Sequence, residues 1–264
     1  MKFLRYPGGK RRLISYISER LPKDPIRGRY MEPFVGGGSV FFHSKPKQAI
    51  LSDLNEELIE LYRTIKHYPH KVWEALEALP SGKKAYYEVR SRHGEGRVFD
   101  RAARTLYLNR TCFKGMWRHN PQGHFNVGYG GEDRRWAVTH ENLVQVSKAL
   151  RSATILHADF EEILGDVKSG DFLFLDPPYK PGQKEFCEQH YINRRFTYEE
   201  QVRLAGALER TLRKKNFRWL MTNSAHPEIK RLYKGFKIKT IKIGTGDRPG
   251  ILSAKGKEFL ISNY

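Results

Sequence analysis

The apolar run Phe172-Leu173-Phe174-Leu175, stopped by Asp176-Pro177-Pro178-Tyr179, constrains this chain more than any other stretch. A short unbroken run entered from Gly170-Asp171 and ended by two prolines predicts a buried parallel strand with its carboxyl end open for chemistry. The residues at that end suit a flat group carrying an exocyclic amine. Asp176 offers carboxylate acceptors, and the prolines expose carbonyls without adding N–H donors. An amino group can donate to the Asp176 side chain and the Pro177 carbonyl while Tyr179 supplies a ring face for stacking. Taken alone, the tetrapeptide serves equally well as a plain turn.

The rest of the chain supplies the context. Its 264 residues suffice for one large α/β domain with an insertion, or two modest domains. Lys and Arg number 48 against 29 acidic residues, a net charge of +19, which favours a polyanionic partner without choosing DNA over RNA. Cys112 and Cys187 are too few for a disulfide framework and lack zinc spacing, and the histidines are scattered, so no metal site is expected. No apolar stretch is long enough to span a bilayer, and the basic start runs into Pro7-Gly8-Gly9. A soluble, unexported protein of a reducing, cytoplasmic compartment is expected.

Tyr6-Pro7-Gly8-Gly9-Lys10 reads as a loop before a helix. It is no P-loop, since Leu4 stands at the first glycine position and Arg11 at the Ser/Thr. Either it lets Lys10 reach a carboxylate or a ligand's amino-acid end, or it is a plain turn. A strand over 29–34 leads into Gly36-Gly37-Gly38 and a short helix, a turn that lets a nucleoside approach the backbone. A dinucleotide fingerprint would need glycine at Phe41. The next strand ends at Asp53, suited to a ribose diol or to helix capping, which Asn55 could also provide.

From Leu54 to about Leu150 the pattern is mostly helical and reads as an insertion. Within it, residues 109–118 interleave basic and large apolar side chains. Asn120-Pro121-Gln122-Gly123 then reads as a turn and His124–Val127 as a returning strand. Such a hairpin either reads guanine edges through Arg118 and wedges between bases, or is simply packed core. Further on, a strand ends at Asp159-Phe160, which either meets an adenine or caps a helix. The basic segment Lys180 to Arg195 is placed to close over a substrate, and Thr197 with Glu200 predicts a capping box. Strands follow at 219–223, 236–243, with lysines outward, and 258–262.

The order of these parts resembles the Dam-like, D12 class DNA adenine-N6 methyltransferases over essentially the whole chain. The resemblance rests on Tyr6 to Lys10, Glu32-Pro33-Phe34-Val35-Gly36-Gly37-Gly38-Ser39, Asp53, Asn109-Arg110-Thr111 with the Arg118 hairpin, and Asp176 to Tyr179. It implies a Rossmann-like α/β sheet formed by residues 1–54 and 150–264, with a mostly helical recognition subdomain over 55–149 that carries a β-hairpin. It implies S-adenosylmethionine held by Tyr6, Lys10, Glu32, Pro33, Phe34, Gly36, Gly38, Asp53, Asp159, Phe160 and Asp176. An adenine flipped out of double-stranded DNA would be gripped by Asp176, Pro177, Pro178 and Tyr179. Arg110, Phe113, Lys114, Met116, Arg118, Asn120 and Asn126 would meet the DNA. Lys114 and Gly128 depart from the best-known GATC readers, which have Asn and Pro there, whereas Arg118, the guanine reader, is kept; the resemblance implies GATC or a related site. The likeness further implies a bacterial or phage enzyme, monomeric or weakly dimeric, able to work beside a cognate restriction endonuclease. The clamp itself also admits cytosine N4 or an RNA adenine, and a catalytically silent DNA-binding relative is the remaining alternative.

Overall fold

The computed structural model describes residues 3–6, 8–24, 26–179, 196–242 and 257–264. Its centre is a seven-stranded sheet in the order β3-β2-β1-β4-β5-β7-β6. The strands are β1 (Tyr30–Glu32), β2 (Ala49–Asp53), β3 (Ala153–His157), β4 (Phe172–Leu175), β5 (Arg218–Ser224), β6 (Lys237–Lys242) and β7 (Lys257–Ser262). β1 to β5 run parallel, while β7 lies antiparallel between β5 and β6. The expected Rossmann-like architecture is present.

The run read first from the sequence is β4, with all four residues buried. It must be apolar throughout because both faces are covered. Phe172 and Phe174 pack into one core, Leu173 and Leu175 into the other, as the period of two dictates. Successive parallel strands lead away from β1 on one side and from β4 on the other. The crevice above the carboxyl ends of this neighbouring pair is where an open α/β sheet binds its ligand.

The helices are α1 (Ile14–Ser18), α2 (Ser39–Ser44), α3 (Glu56–His67), α4 (Pro69–Glu77), α5 (Lys83–Ser91), α6 (Val98–Thr111), α7 (His140–Leu150), α8 (Phe160–Gly165), α9 (Tyr198–Leu212) and α10 (Pro227–Leu232). α3 lies on the sheet, where Arg63 and Lys66 donate to the carbonyls of Ile155 and Ala153. One apolar core runs without a break from Leu51 and Phe174 of the sheet to Val72, Tyr86, Leu106 and Trp117 of the helical segment.

Several local expectations change. The returning strand 124–127 is not a regular strand. The hairpin has only the isolated pairs Cys112 with Tyr129 and His119 with Phe125. A 3-10 turn at Phe113–Gly115, with Lys114 left-handed at φ 53°, breaks the ladder on the outgoing arm. Thr197 stands at the N-cap of α9 but makes no side-chain cap bond, and the Glu200 carboxylate turns to Arg203 instead. In β6, Lys237 and Lys239 are exposed as expected, but the strict alternation fails beyond them: Ile241, which shares their parity, is buried, and Thr240 and Lys242 are exposed. Ile243, Cys187, Pro7 and the segment from Lys180 to Arg195 lie outside the described residues.

Candidate active site

The crevice is built from the carboxyl ends of β1, β2 and β4 together with the N-terminal loop. Lys10, only 5 % exposed, places its ammonium 2.8 Å from Asp176 Oδ1 and 2.9 Å from the Gly8 carbonyl. It also lies 4.6 Å from the centre of the Tyr179 ring. The Gly-Gly-Lys loop is therefore an arm that delivers a cation to the clamp. Thr222 of β5 donates to the same Asp176 oxygen at 2.7 Å. Oδ1 thus serves two donors, whereas Oδ2 and the Pro177 carbonyl accept no hydrogen bond among the described residues. The Pro178 carbonyl accepts from Gln201 Nε2 at 2.8 Å, and the Tyr179 hydroxyl donates to Glu258 at 2.5 Å.

Burial raises the Asp176 carboxyl above its ordinary value, with Lys10 and then Thr222 pulling it back. Two more carboxylates share the crevice. Glu32 is pushed up to about 8 by burial, opposed by the Tyr30 hydroxyl donating to it at 2.7 Å and reinforced by Asp176. Asp53 is pushed up to about 6, again by burial, against the pull of the Gly36, Asn55 and Leu54 amides. Three buried acids share the crevice and only Asp176 has the Lys10 ammonium beside it, so a cationic ligand, which would draw the raised carboxyls back down, fits the site.

The glycine turn follows. Gly36 and Gly38 take φ of +44° and +61°, and Gly36 donates its N–H to Asp53 at 2.9 Å. A Cβ on Gly36 would stand 3.0 Å from the Tyr6 ring, so the turn is glycine partly to admit Tyr6. The Tyr6 ring in turn leans on Trp117 of the hairpin, 5.5 Å between centres. Pro33, between β1 and half-buried Phe34, lends its carbonyl to the Ser52 hydroxyl. Asn55 caps α3 by accepting from Leu58, which leaves Asp53 for the turn.

At the far side of the crevice Phe34 stacks obliquely on Phe160 at 5.5 Å, and Phe196 closes the triangle edge-on at 5.7 Å from Phe34. Phe160 is fully buried with the Arg203 guanidinium 4.1 Å from its ring centre, so it backs Phe34 and offers no open face of its own. Of the two readings of Asp159, capping is observed. It accepts from the Glu161 N–H and also binds both ends of Arg203 at 2.8 Å. Phe196, Arg203, Gln201 and Glu258 carry no sequence signal of their own. They enter the site through long-range packing.

Some residues expected to face DNA are used inside the protein. Arg110 is buried and donates to the Phe3 carbonyl at 3.0 Å, and burial, then Arg5 and Arg11, draws it down to about 10. Beside it, Asn109 grips both polar groups of the Arg5 backbone at 2.9 and 2.6 Å. The Asn120 oxygen accepts the Gln122 and His124 amides and so builds the turn. Asn126 accepts from Arg118 Nε at 2.8 Å and orients it. Phe113, 48 % exposed, and exposed Lys114 stand at the hairpin's outer edge, while Met116 packs half-buried against the core. Among the described residues no three metal-binding side chains cluster, and no helix is long and apolar enough to cross a membrane.

Residues 6–243 match the family described as D12 class N6 adenine-specific DNA methyltransferase. The chain belongs to that family. This D12 class enzyme is 34% identical over 273 residues to the Type II methyltransferase M1.LlaDCHI of Lactococcus lactis subsp. cremoris, covering 99% of this chain and 95% of that one. It is 35% identical over 260 residues to the Type II methyltransferase M.MjaIII of Methanocaldococcus jannaschii, covering 90% of each. It is 30% identical over 247 residues to the DNA adenine methylase of Vibrio cholerae, covering 91% and 87%. The D12 class enzyme is an adenine-N6 DNA methyltransferase whose cofactor is S-adenosylmethionine.

Proposed function

We propose that the enzyme transfers a methyl group to N6 of an adenine rotated out of double-stranded DNA, with Asp176 Oδ2 and the Pro177 carbonyl as twin acceptors of the amino hydrogens. The spare capacity of those two oxygens, beside neighbours that are already engaged, carries the reading. Adenine N6 is a weak nucleophile because its lone pair is delocalised into the ring. Two acceptors pulling on its hydrogens favour a pyramidal nitrogen with the lone pair directed out of the ring plane. Positioning and electrostatics then do more than a strong base, so Asp176 acts as an ionised acceptor held by Lys10. Tyr179, steadied by Glu258, stacks on the base and offsets part of the few kcal/mol that unstacking costs.

S-adenosylmethionine supplies, when bound, an electrophilic methyl on a sulfonium. The raised carboxyls of Glu32, Asp53 and Asp176, which a cation would draw back down, support its placement here. Asp53 suits the ribose hydroxyls, the Gly36 to Gly38 turn with Tyr6 a close backbone approach, and Phe34, backed by Phe160, the adenine face. The hairpin suits recognition: Arg118, oriented by Asn126, for a guanine edge, Phe113 as a wedge and Lys114 for phosphate or base. Residues 1–54 and 150–264 form the catalytic part in this reading, and 55–149 the recognition part. The Type II names of two relatives support a partnership with a restriction endonuclease in the cytoplasm. The enzyme acts as a monomer or weak dimer.

Duplex DNA incubated with the purified enzyme and S-adenosylmethionine, then digested to nucleosides, is expected to yield N6-methyladenine. Single-molecule sequencing of that DNA is expected to place it in one motif containing guanine. N4-methylcytosine, or methylation of single-stranded RNA alone, would contradict the reading.

A further inference from the structure

Behind the clamp lies a chain of buried amides that the reading above does not use. The Ser224 N–H, which can only donate, gives its hydrogen to Asn223 Oδ1 at 2.8 Å and so fixes which end of that side chain is oxygen. Asn223 Nδ2 must then donate, and does so to Gln201 Oε1 at 3.0 Å. That leaves Gln201 Nε2 as the donor to the Pro178 carbonyl. Asn223, Ser224 and Gln201 are all fully buried. The two bonds of Asn223 are buried, the Gln201 bond to Pro178 is partly buried, and each amide orients the next.

The turn they hold is short of constraints. Both prolines have φ fixed by their rings, so the direction of the Pro177 carbonyl depends on the peptide plane between them. Upstream, that plane follows from Asp176, whose Oδ1 is held by Lys10 and Thr222. Downstream, the Pro178 carbonyl is held by Gln201. Gln201 sits in the first turn of α9, two residues before Arg203, which locks that turn onto Asp159 and Glu161 of the α8 end.

We propose that Gln201 is a positioning residue for methyl transfer. By engaging the Pro178 carbonyl, and itself oriented by Asn223 and the Ser224 amide, it holds the neighbouring Pro177 carbonyl free and aimed at the target amine. The inference rests on the twin-acceptor reading. Gln201 touches neither the base nor the cofactor, so its removal alters the chemical step and spares binding.

The test compares Gln201→Met, which fills the space but cannot donate, with Gln201→Glu, in single-turnover reactions at saturating S-adenosylmethionine and DNA. Gln201→Met is expected to lose about ten- to a hundredfold in rate at every pH, as small misplacements of reacting groups do. Its cofactor affinity by calorimetry stays that of the wild type. A buried carboxyl in Gln201→Glu has a raised pKa and donates to Pro178 only when protonated. Its rate relative to wild type is therefore expected to rise as the pH is lowered from about 9 to about 6.5. A wild-type rate in Gln201→Met would overturn the proposal. So would a flat Gln201→Glu ratio, or equal losses of rate and cofactor affinity in both variants. Absence of N6-methyladenine from the wild-type enzyme would instead strike the functional reading itself.

Discussion

The clamp at the top of β4 and the hairpin of the helical segment are built on opposite plans. At the clamp, four elements converge on four residues: the N-terminal loop through Lys10, β5 through Thr222, β7 through Glu258 and α9 through Gln201. Their bonds engage every side-chain or carbonyl oxygen described above except the two assigned to the substrate. The hairpin is anchored along its inner side. Trp117 and Phe125 are sunk in the core, the Val127 carbonyl is held by Tyr86 and Arg90, and His119 meets Glu57 at 2.9 Å. Its outer edge, Phe113 and Lys114, is left open. Methyl transfer needs its acceptors aimed before the base arrives, whereas recognition gains from side chains that settle only against DNA.

The contrast predicts different failures. Among the residues that support the clamp, Lys10→Met should have the largest effect, because it leaves Asp176 buried without its cation. The carboxyl, already raised by burial, then rises further, which favours its protonated form and costs the acceptor. A loss of about a hundredfold or more in single-turnover rate is expected near pH 7, recovering as the pH is raised. A pH-rate profile parallel to that of wild type would break the comparison. Arg118→Ala should cost about 1–3 kcal/mol of discrimination at one base pair, roughly ten- to a hundredfold in kcat/KM, with cofactor affinity unchanged. Competition between cognate and single-mismatch duplexes measures it.

Asn109→Ala tests how much of the motif beside the hairpin is scaffold. It strands the Arg5 N–H and carbonyl, and a loss of about 1–3 kcal/mol in denaturant stability is expected with base preference preserved. A relaxed target with unchanged stability would instead assign Asn109 to the recognition surface. Glu32→Gln should have the smallest effect and one of definite sign. The Glu32 carboxyl titrates at about 8 in the fold against an ordinary 4.5, so the folded state holds this proton more tightly than the unfolded chain. Its contribution to stability is full below the ordinary value and is lost as the pH rises through the folded one. The Tm of Glu32→Gln without cofactor is therefore expected to gain on wild type as the pH climbs across that window.

The sequence makes the two plans legible to different depths. β4 and the Asp-Pro-Pro-Tyr stop could be read because burial on both faces forces an unbroken apolar run and proline removes donors. The glycine turn and Asp53 were legible because strand ends announce themselves locally. What fills the turn was not: Tyr6 meets Gly36 and Gly37 only after the chain has folded. Asn109-Arg110-Thr111 shows the opposite limit. Its residue types suit DNA, yet Asn109 and Arg110 hold the N-terminal segment at Arg5 and Phe3, more than a hundred positions away. Polar type is visible in a sequence, whereas the partner is decided by packing.

The most direct test of the twin-acceptor clamp is Asp176→Asn. Lys10 and Thr222 both donate at the Oδ1 position, so an asparagine must put its oxygen there and its NH2 where Oδ2 stood, donor against donor with the adenine amine. Single-turnover methylation at saturating S-adenosylmethionine and DNA is expected to give no N6-methyladenine from a folded protein that still binds its cofactor. Methylation by Asp176→Asn at close to the wild-type rate would contradict the clamp.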